Sequence, residues 1–347
     1  MIRITTNGTL RNYKSQLMNS TKNLNDRYNA VLTGRRFNAY SEDPVSATQA
    51  FRLRSSLATN AKQTSNNDTV VKKFSTAWDI IGDIHEDLVV KMGKVPALEG
   101  SNGTNLSVLP ELGQVLSAGA DAIVQDMNGK YGDNFIFGGA DTLKVPFEMK
   151  DGKLFYRGKE VDAMKPSVNP PDPAANTYEN IDDKLYVDVG LGFQEGKNGI
   201  ISSSAYDSAL NGLDFLGYGT DGDGLPNNVV SIMKELGGMF QRYDTKNNTW
   251  GNGDSAEKAQ KLMNKLEQAS DRLNKAHVEL DAKTTFLKTN QDRLTATGDN
   301  LNEQVVNVED VDPAQAIMEL VWAQQAYNAA LKVGTNIIPQ SLLDYMN

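Results

Sequence analysis

Apolar side chains recur at every seventh residue near both ends of this 347-residue chain. Within the first 40 residues, this row consists of Leu10, Leu17, Leu24 and Val31. A second row, interrupted by Gln324 and flanked by Leu320 and Tyr327, consists of Ile317, Leu331, Ile338 and Tyr345. A seven-residue repeat keeps one stripe on one side of a helix, and such a stripe needs a partner to cover it. The sequence therefore predicts that the N- and C-terminal helices pair in a coiled coil.

The charges of the two ends favour the same pairing. Residues 1–40 carry seven Lys or Arg against the single acid Asp26, whereas residues 309–347 carry five acids against Lys332. Opposite charges promote the association of two helices. An Arg-bearing, acid-poor amphipathic N-terminus is also typical of an organelle transit peptide. That alternative leaves the acidic stripe at the other end of the chain unexplained.

Long helices are predicted between the two ends. Asp43-Pro44 and Asp312-Pro313 each combine a capping carboxylate with a proline suited to the first helical turn. Apolar rows predict helix over residues 43–95 and 109–127, with the polar residues 60–68 as a loop or a solvated helical turn. The strongest repeat predicts one helix from about residue 255 to 309, with a stripe at Leu266, Leu273, Leu280, Leu287, Leu294, Leu301 and Val308.

The middle of the chain has the pattern of short strands. Residues 147–149 and 154–156 flank a Lys-Asp-Gly-Lys turn and predict a hairpin, and residues 134–137 and 185–189 predict further strands. We therefore expect a mainly α protein with three parts. These are a terminal coiled-coil domain (1–42 and 309–347), a long helical rod domain (43–144 and 240–308) and a small strand-rich inserted head domain (145–239).

Composition and charge exclude several classes of function. Without cysteine the chain forms no disulfide, iron–sulfur cluster or thiol nucleophile. A net charge of -9 argues against a nucleic-acid partner, and apolar runs of only a few residues predict no membrane span. The first residues lack the charged head and apolar stretch of a secretory signal peptide.

Two glycine-rich patterns resemble ligand sites but are better explained as turns. The spacing of a dinucleotide-binding fingerprint occurs at Gly217, Gly219 and Gly222. No βαβ unit surrounds it, so nucleotide binding is not expected. The sequence Asp-Gly-Asp-Gly at residues 221–224 resembles the start of a calcium loop. Because Leu225 and Ile232 stand where oxygen ligands belong, we predict a turn.

The two histidines, His85 and His277, lie in predicted helices without metal-ligand spacing. His85 shares a row with Trp78 and Met92, and we interpret it as a residue at the edge of the core. The tryptophans and the methionines at helical spacing are also interpreted as core residues. No nucleophile elbow is present. We therefore expect no enzymatic activity, no cofactor and no metal.

Four segments carry a resemblance to a known family. They are Arg3-Ile4-Thr5, the turn at residues 33–38 with the following Glu42-Asp43-Pro44, the segment 134–139, and residues 341–346. Together they resemble the flagellin superfamily, and most closely its hook-filament junction proteins, which are hook-associated proteins. The Asp43-Pro44 pair favours a junction protein. Ile338-Pro339-Gln340 is closer to the end of filament flagellins, so a filament-forming subunit remains the alternative.

The resemblance implies a structural protein of the bacterial flagellum, an adaptor that joins a hook-associated protein to the flagellin filament. It implies as partners further copies in a ring, the neighbouring hook-associated protein, flagellin and an export chaperone. It also implies unfolded export through the flagellar type III channel to an extracellular position, without a cleaved signal peptide. The expected assembly interface is Leu10, Leu17, Leu24, Val31, Ile317, Leu320, Tyr327, Leu331, Ile338 and Leu342.

Overall fold

The computed structural model describes residues 6–101, 106–196, 199–201, 203–251 and 253–337. The chain divides into two compact units. The terminal unit comprises Met1–Ala61 and Thr295–Asn347, and the central unit comprises Lys62–Leu294. The division into three domains made from the sequence stays a prediction.

The described part of the terminal unit is helical. Helix α1 spans Thr6–Thr33, and the unit also holds the first part of α2 (Pro44–Asp83). The last part of α7 (Ala256–Glu309) and all of α8 (Pro313–Ile337) complete it. Helix α1 packs against α8, so the predicted pairing of the two ends is confirmed.

The ends of these helices follow the capping residues. The Asp43 carboxylate accepts a hydrogen bond from the backbone N–H of Ser46 at 3.1 Å. The Asp312 carboxylate accepts one from Ala314 N–H at 2.7 Å. These bonds satisfy N–H groups that have no partner within a first helical turn. Both predicted helix starts, and the end of α7 at Glu309, are confirmed.

The helices of the central unit surround its core. A π-helix (Ile84–Lys94) continues α2 and is followed by α3 (Val95–Ser101), a 3₁₀ turn (Leu106–Val108), α4 (Leu109–Asp126), α5 (Gly212–Leu216) and α6 (Val229–Gln241). Helices α4 and α6 cross closely because Gly113 and Gly237 face each other. A Cβ atom on Gly113 would lie 2.5 Å from the Gly237 carbonyl oxygen, so the contact requires glycine.

Helix α7 buries the seven-residue row that the sequence predicted. Within the central unit this row is at most 2% exposed, at Leu266, Leu273, Leu280, Leu287 and Leu294. Its last members, Leu301 and Val308, are half-buried. In the interleaved row Ala269 is buried and Lys283 is exposed. The stripe therefore covers one side of the helix only.

Residues 60–68, for which the sequence left a loop or a solvated turn open, lie within α2. Asn67 is completely buried. Its amide donates to the Leu287 carbonyl at 2.9 Å and to the Gln291 side chain at 2.7 Å. Its side-chain oxygen accepts a hydrogen bond from Asn290 at 2.9 Å. The interruption in the apolar stripe is thus a buried polar contact between α2 and α7.

The strands are short and antiparallel. They are β1 (Lys130–Tyr131), β2 (Asn134–Phe135), β3 (Phe147–Lys150), β4 (Lys153–Tyr156), β5 (Lys159–Glu160), β6 (Tyr186–Val187), β7 (Glu195–Gly196), β8 (Gly199–Ile200) and β9 (Tyr206–Asp207). They pair as β1-β2, β3-β4-β5, β6-β9 and β7-β8. Phe147 pairs with Tyr156 and Met149 with Leu154, which confirms the predicted hairpin.

The glycine-rich segment at residues 221–224 is a turn, as predicted. The Gly224 N–H donates to the Asp221 carbonyl at 3.1 Å. Lysine side chains neutralise its acids, with Lys265 2.7 Å from the Asp221 carboxylate and Lys261 3.0 Å from that of Asp223.

Among the described residues, no helix combines the length and apolar character that crossing a membrane requires.

Candidate assembly interface

Half of the predicted interface residues line the contact between α1 and α8. Leu17, Leu24 and Val31 on α1 are half-buried, as are Leu320 and Tyr327 on α8. The buried residues of α8, Ala316 and Ala323, share a face with Leu320 and Tyr327 because these four residues are spaced three or four apart. This face of α8 packs against α1.

The two helices approach each other closely near the C-terminal end of α8. Gly334 is buried there, against the ring of Tyr13 from α1. A Cβ atom on Gly334 would overlap the Tyr13 hydroxyl oxygen. Even alanine would therefore force Tyr13 or the helix backbone to move.

The remaining predicted residues do not lie in that contact. Leu10, Ile317 and Leu331 are exposed, with Ile317 at 53%. Ile338 and Leu342 lie outside the described residues. The described apolar members of the C-terminal row, Ile317 and Leu331, thus lie beside the α1-facing stripe of α8.

The exposed face of the helix pair carries large apolar side chains that the sequence reasoning missed. They are Met18, Tyr28 and Leu32 on α1, and Met318, Val321, Trp322 and Val333 on α8. We call these residues, together with Ile317 and Leu331, the terminal apolar surface. The interpretation of the tryptophans and methionines as core residues is wrong for Trp322, which is 65% exposed, for Trp78, which is 38% exposed, and for Met18 and Met318.

The buried side chains of the terminal unit are small by contrast. Its buried hydrophobic residues, among those that the structure describes, are Ala30, Ala50, Val305, Ala316 and Ala323. Four of these five are alanines, which bury little apolar area. Large exposed apolar patches mark surfaces that bind other proteins. The helix pair therefore leaves many of its large apolar side chains exposed.

Charge contributes less to the helix pair than the sequence suggested. Between the described residues of α1 and α8, one ion pair forms, with Arg27 2.5 Å from the Glu319 carboxylate. The Arg27 side chain is 45% exposed, and ion pairs of this kind contribute about 0–1 kcal/mol. Charge therefore adds little to the α1–α8 contact within the described residues.

The two turns of the terminal unit are joined at Glu309. The Arg36 N–H donates to the Glu309 carbonyl at 2.7 Å, and the Val311 N–H donates to the Gly34 carbonyl at 3.0 Å. The Glu309 side chain, 10% exposed, binds the guanidinium of Arg54 through both oxygens. This hydrogen-bonded carboxylate raises the pKa of Arg54 above its usual value. The backbone and side-chain bonds together fix the α1–α2 turn on the α7–α8 turn.

The histidines lie at the edge of the central core. His85 is half-buried, with its Nε2 atom 3.2 Å from the Ser270 hydroxyl, and burial lowers its pKa. The ring of His277 stacks on Trp78 with centroids 4.5 Å apart. In the described part of the chain, no group of three His, Cys, Asp or Glu side chains is arranged to hold a metal ion.

Comparisons with known proteins give two findings. Residues 263–346 match the family model of the bacterial flagellin C-terminal helical region. The fold is similar to that of a Vibrio parahaemolyticus protein described as flagellar hook-associated, with a TM-score of 0.57 and 15% identity over 78% of this chain and 100% of that chain. No curated protein matches the sequence.

Two further solved structures are more distant. FlgL from Bacillus cereus has a TM-score of 0.46 and 13% identity over 74% of this chain and 99% of that chain. FlgL from Xanthomonas campestris has a TM-score of 0.48 and 10% identity over 73% of this chain and 99% of that chain. The flagellin match and the fold shared with the Vibrio protein confirm the resemblance to the flagellin superfamily and the predicted fold class.

Proposed function

We propose that this chain is a structural, non-catalytic protein of the bacterial flagellum, an adaptor that joins a hook-associated protein to the flagellin filament. One observation carries the proposal. The paired ends of the chain fully bury only alanines among their described hydrophobic residues and leave the terminal apolar surface exposed, so a further helix is needed to cover that surface. The flagellin match over residues 263–346 and the fold shared with a hook-associated protein support the same assignment.

The energetics favour assembly over an isolated helix pair. Ordering a residue costs about 1–2 kcal/mol of backbone entropy, and buried alanines recover little of it. A large apolar side chain that becomes fully buried contributes about 1.5–3 kcal/mol. Trp322, Met318 and Ile317 can make that contribution only against a neighbouring subunit. We therefore propose that copies of the chain form a ring through the terminal apolar surface.

The interface proposed from the sequence then has two layers. Leu17, Leu24, Val31, Leu320 and Tyr327 hold α1 on α8 within one subunit. The second layer contacts neighbouring subunits. We assign to it the terminal apolar surface, which includes Ile317 and Leu331, and also the exposed Leu10. Ile338 and Leu342 are assigned to it by their place in the sequence.

The remaining partners are part of the same proposal. The ring would contact a hook-associated protein on one side and flagellin on the other, at an extracellular hook–filament junction. An apolar surface that waits for assembly invites aggregation, so an export chaperone that covers α8 is also proposed. Export through the flagellar type III channel is consistent with a cysteine-free chain.

A filament-forming flagellin subunit is the alternative. The flagellin match at the C-terminal end and the Ile338-Pro339-Gln340 sequence favour it. Purified protein distinguishes the two functions. A filament subunit elongates continuously from flagellar seeds, whereas an adaptor adds one layer and stops.

Electron microscopy of cells that lack this protein tests the proposal. An adaptor predicts hooks without filaments and flagellin released into the medium, with filaments restored by the intact gene. Normal filaments in the deletion strain would contradict the adaptor function. Hooks without filaments, combined with continuous elongation of the purified protein, would identify the filament subunit instead.

A further inference from the structure

A cleft of about 280 Å³ opens in the central unit beside α2. Its apolar walls are formed by Val70 of α2, Ile136 after β2, and Leu185 and Val187 around β6. Lys73 lines the same cleft one turn after Val70. The lining also includes Tyr131 and Phe135, so the cleft combines largely apolar walls with one cationic group.

The ammonium group of Lys73 has no anionic partner within the described part of the chain. It donates one hydrogen bond, at 2.8 Å, to the Ser208 carbonyl. The nearby Asp207 carboxylate is engaged elsewhere, because it accepts hydrogen bonds from the backbone N–H groups of Leu185 at 3.1 Å and Ala209 at 3.0 Å. A lysine ammonium has three N–H donors, so Lys73 keeps donors for a ligand.

The surroundings of Lys73 also favour an incoming anion. Burial lowers the pKa of Lys73 to about 8, and the charge of Asp207 offsets only part of this effect. A cation that is partly desolvated without a counter-ion is stabilised when an anion binds to it.

We propose that this cleft binds a small amphipathic carboxylate, with its carboxylate on the Lys73 ammonium and its aliphatic tail among Val70, Ile136 and Leu185. The size of the cleft limits the tail, because pockets for larger organic ligands occupy about 300–1,000 Å³. A short-chain fatty acid meets both conditions.

Methyl NMR of the full chain tests the proposal with hexanoate and the neutral hexan-1-ol as probes. Hexanoate should shift the methyl signals of Ile136, Val70 and Leu185 in a saturable way. Hexanol should bind about tenfold more weakly or worse, since a charge-assisted hydrogen bond contributes enough for that ratio. Equal affinity of the two probes, or no saturable shift with hexanoate, would overturn the proposal.

Two lysine variants locate the site. Lys73→Met keeps the aliphatic stem and should lose the preference for hexanoate over hexanol. Lys72→Met is the matched control, because Lys72 pairs with Asp68 at 2.5 Å on the exposed side of the helix and should leave the preference unchanged. A Lys73→Met variant that still prefers hexanoate would exclude this cleft.

A second copy of the chain is the competing occupant, through one of its acidic side chains. In that case the Ile136 and Leu185 methyl signals shift with protein concentration, and sedimentation shows a dimer. Hexanoate then reverses the concentration-dependent shifts and dissociates the dimer. That result would replace the proposed ligand with a subunit contact.

Discussion

At the scale of single residues, the two units use their apolar side chains in opposite ways. The central unit buries its largest groups, such as Phe74, Phe137 and Phe147, whereas the terminal unit leaves Trp322 65% exposed. The sequence held a sign of this difference. Ile317 and Met318, followed by Val321 and Trp322, place apolar groups on two adjacent faces of one helix, and a search for a single seven-residue row follows only one face.

Lys73 gives a prediction about pH and stability. Its pKa falls from an ordinary 10.5 to about 8 in the folded chain. Between these values the unfolded chain binds more protons than the folded chain, so the contribution of Lys73 to stability rises with pH across that window. Relative to Lys73→Met, the wild-type chain should gain up to about 3 kcal/mol between about pH 7 and about pH 11.

Urea unfolding of both proteins at the two pH values measures this difference. Comparing the pair cancels the other groups that titrate over the same range, including the buried tyrosines. A free-energy gap between wild type and Lys73→Met that stays constant with pH would show that Lys73 is not desolvated in the folded chain.

At the scale of helices and strands, local chemistry made the boundaries predictable. The Asp-Pro pairs mark the starts of α2 and α8, and the Lys-Asp-Gly-Lys turn fixes the β3–β4 hairpin. The sequence left the helical state of residues 60–68 open, and the burial of Asn67 was not predictable, because a buried asparagine and an exposed one look alike in sequence. The π-helix Ile84–Lys94 was predicted as part of an α-helix, because its apolar residues follow the spacing of an α-helix.

The buried amides of α2 and α7 lead to a prediction at this scale. Asn67→Ala removes the two hydrogen bonds that the Asn67 amide donates to α7. It also removes the Asn67 oxygen that accepts a hydrogen bond from the Asn290 amide. Because unsatisfied buried polar groups cost about 1–3 kcal/mol each, the variant should lose at least about 2 kcal/mol of unfolding free energy. Asn66→Ala, which removes one exposed hydrogen bond to the Asp188 carbonyl, should lose less than about 1 kcal/mol. Denaturant unfolding compares the two, and equal losses would contradict a buried polar contact.

At the scale of the whole chain, the sequence predicted which segments pair but not how completely they cover each other. The seven-residue rows and the opposite charges pointed to an α1–α8 pair, and that pair is present. Its charges form one ion pair among the described residues, and its buried side chains are mainly alanines. The sequence shows apolar groups on two adjacent faces of α8, but only the folded chain shows which of these faces α1 leaves exposed.

We propose that the α1–α8 pair is the element through which the chain assembles. Leu17→Asp with Leu24→Asp places two carboxylates in that contact, where burial of an unpaired charge costs several kcal/mol. The core of the central unit contains neither residue, so circular dichroism should still show a folded, helical protein. Asn12→Asp with Asn19→Asp is the matched control, since both residues are exposed, seven apart, and give the same change in charge.

The most direct measurement is the amount of each variant in flagella isolated from cells that produce no wild-type copy. The leucine variant should fall about tenfold or more below wild type, because each 1.4 kcal/mol changes an equilibrium tenfold. The asparagine variant should remain at the wild-type level. Incorporation of the leucine variant at the level of its control would show that the α1–α8 contact does not drive assembly.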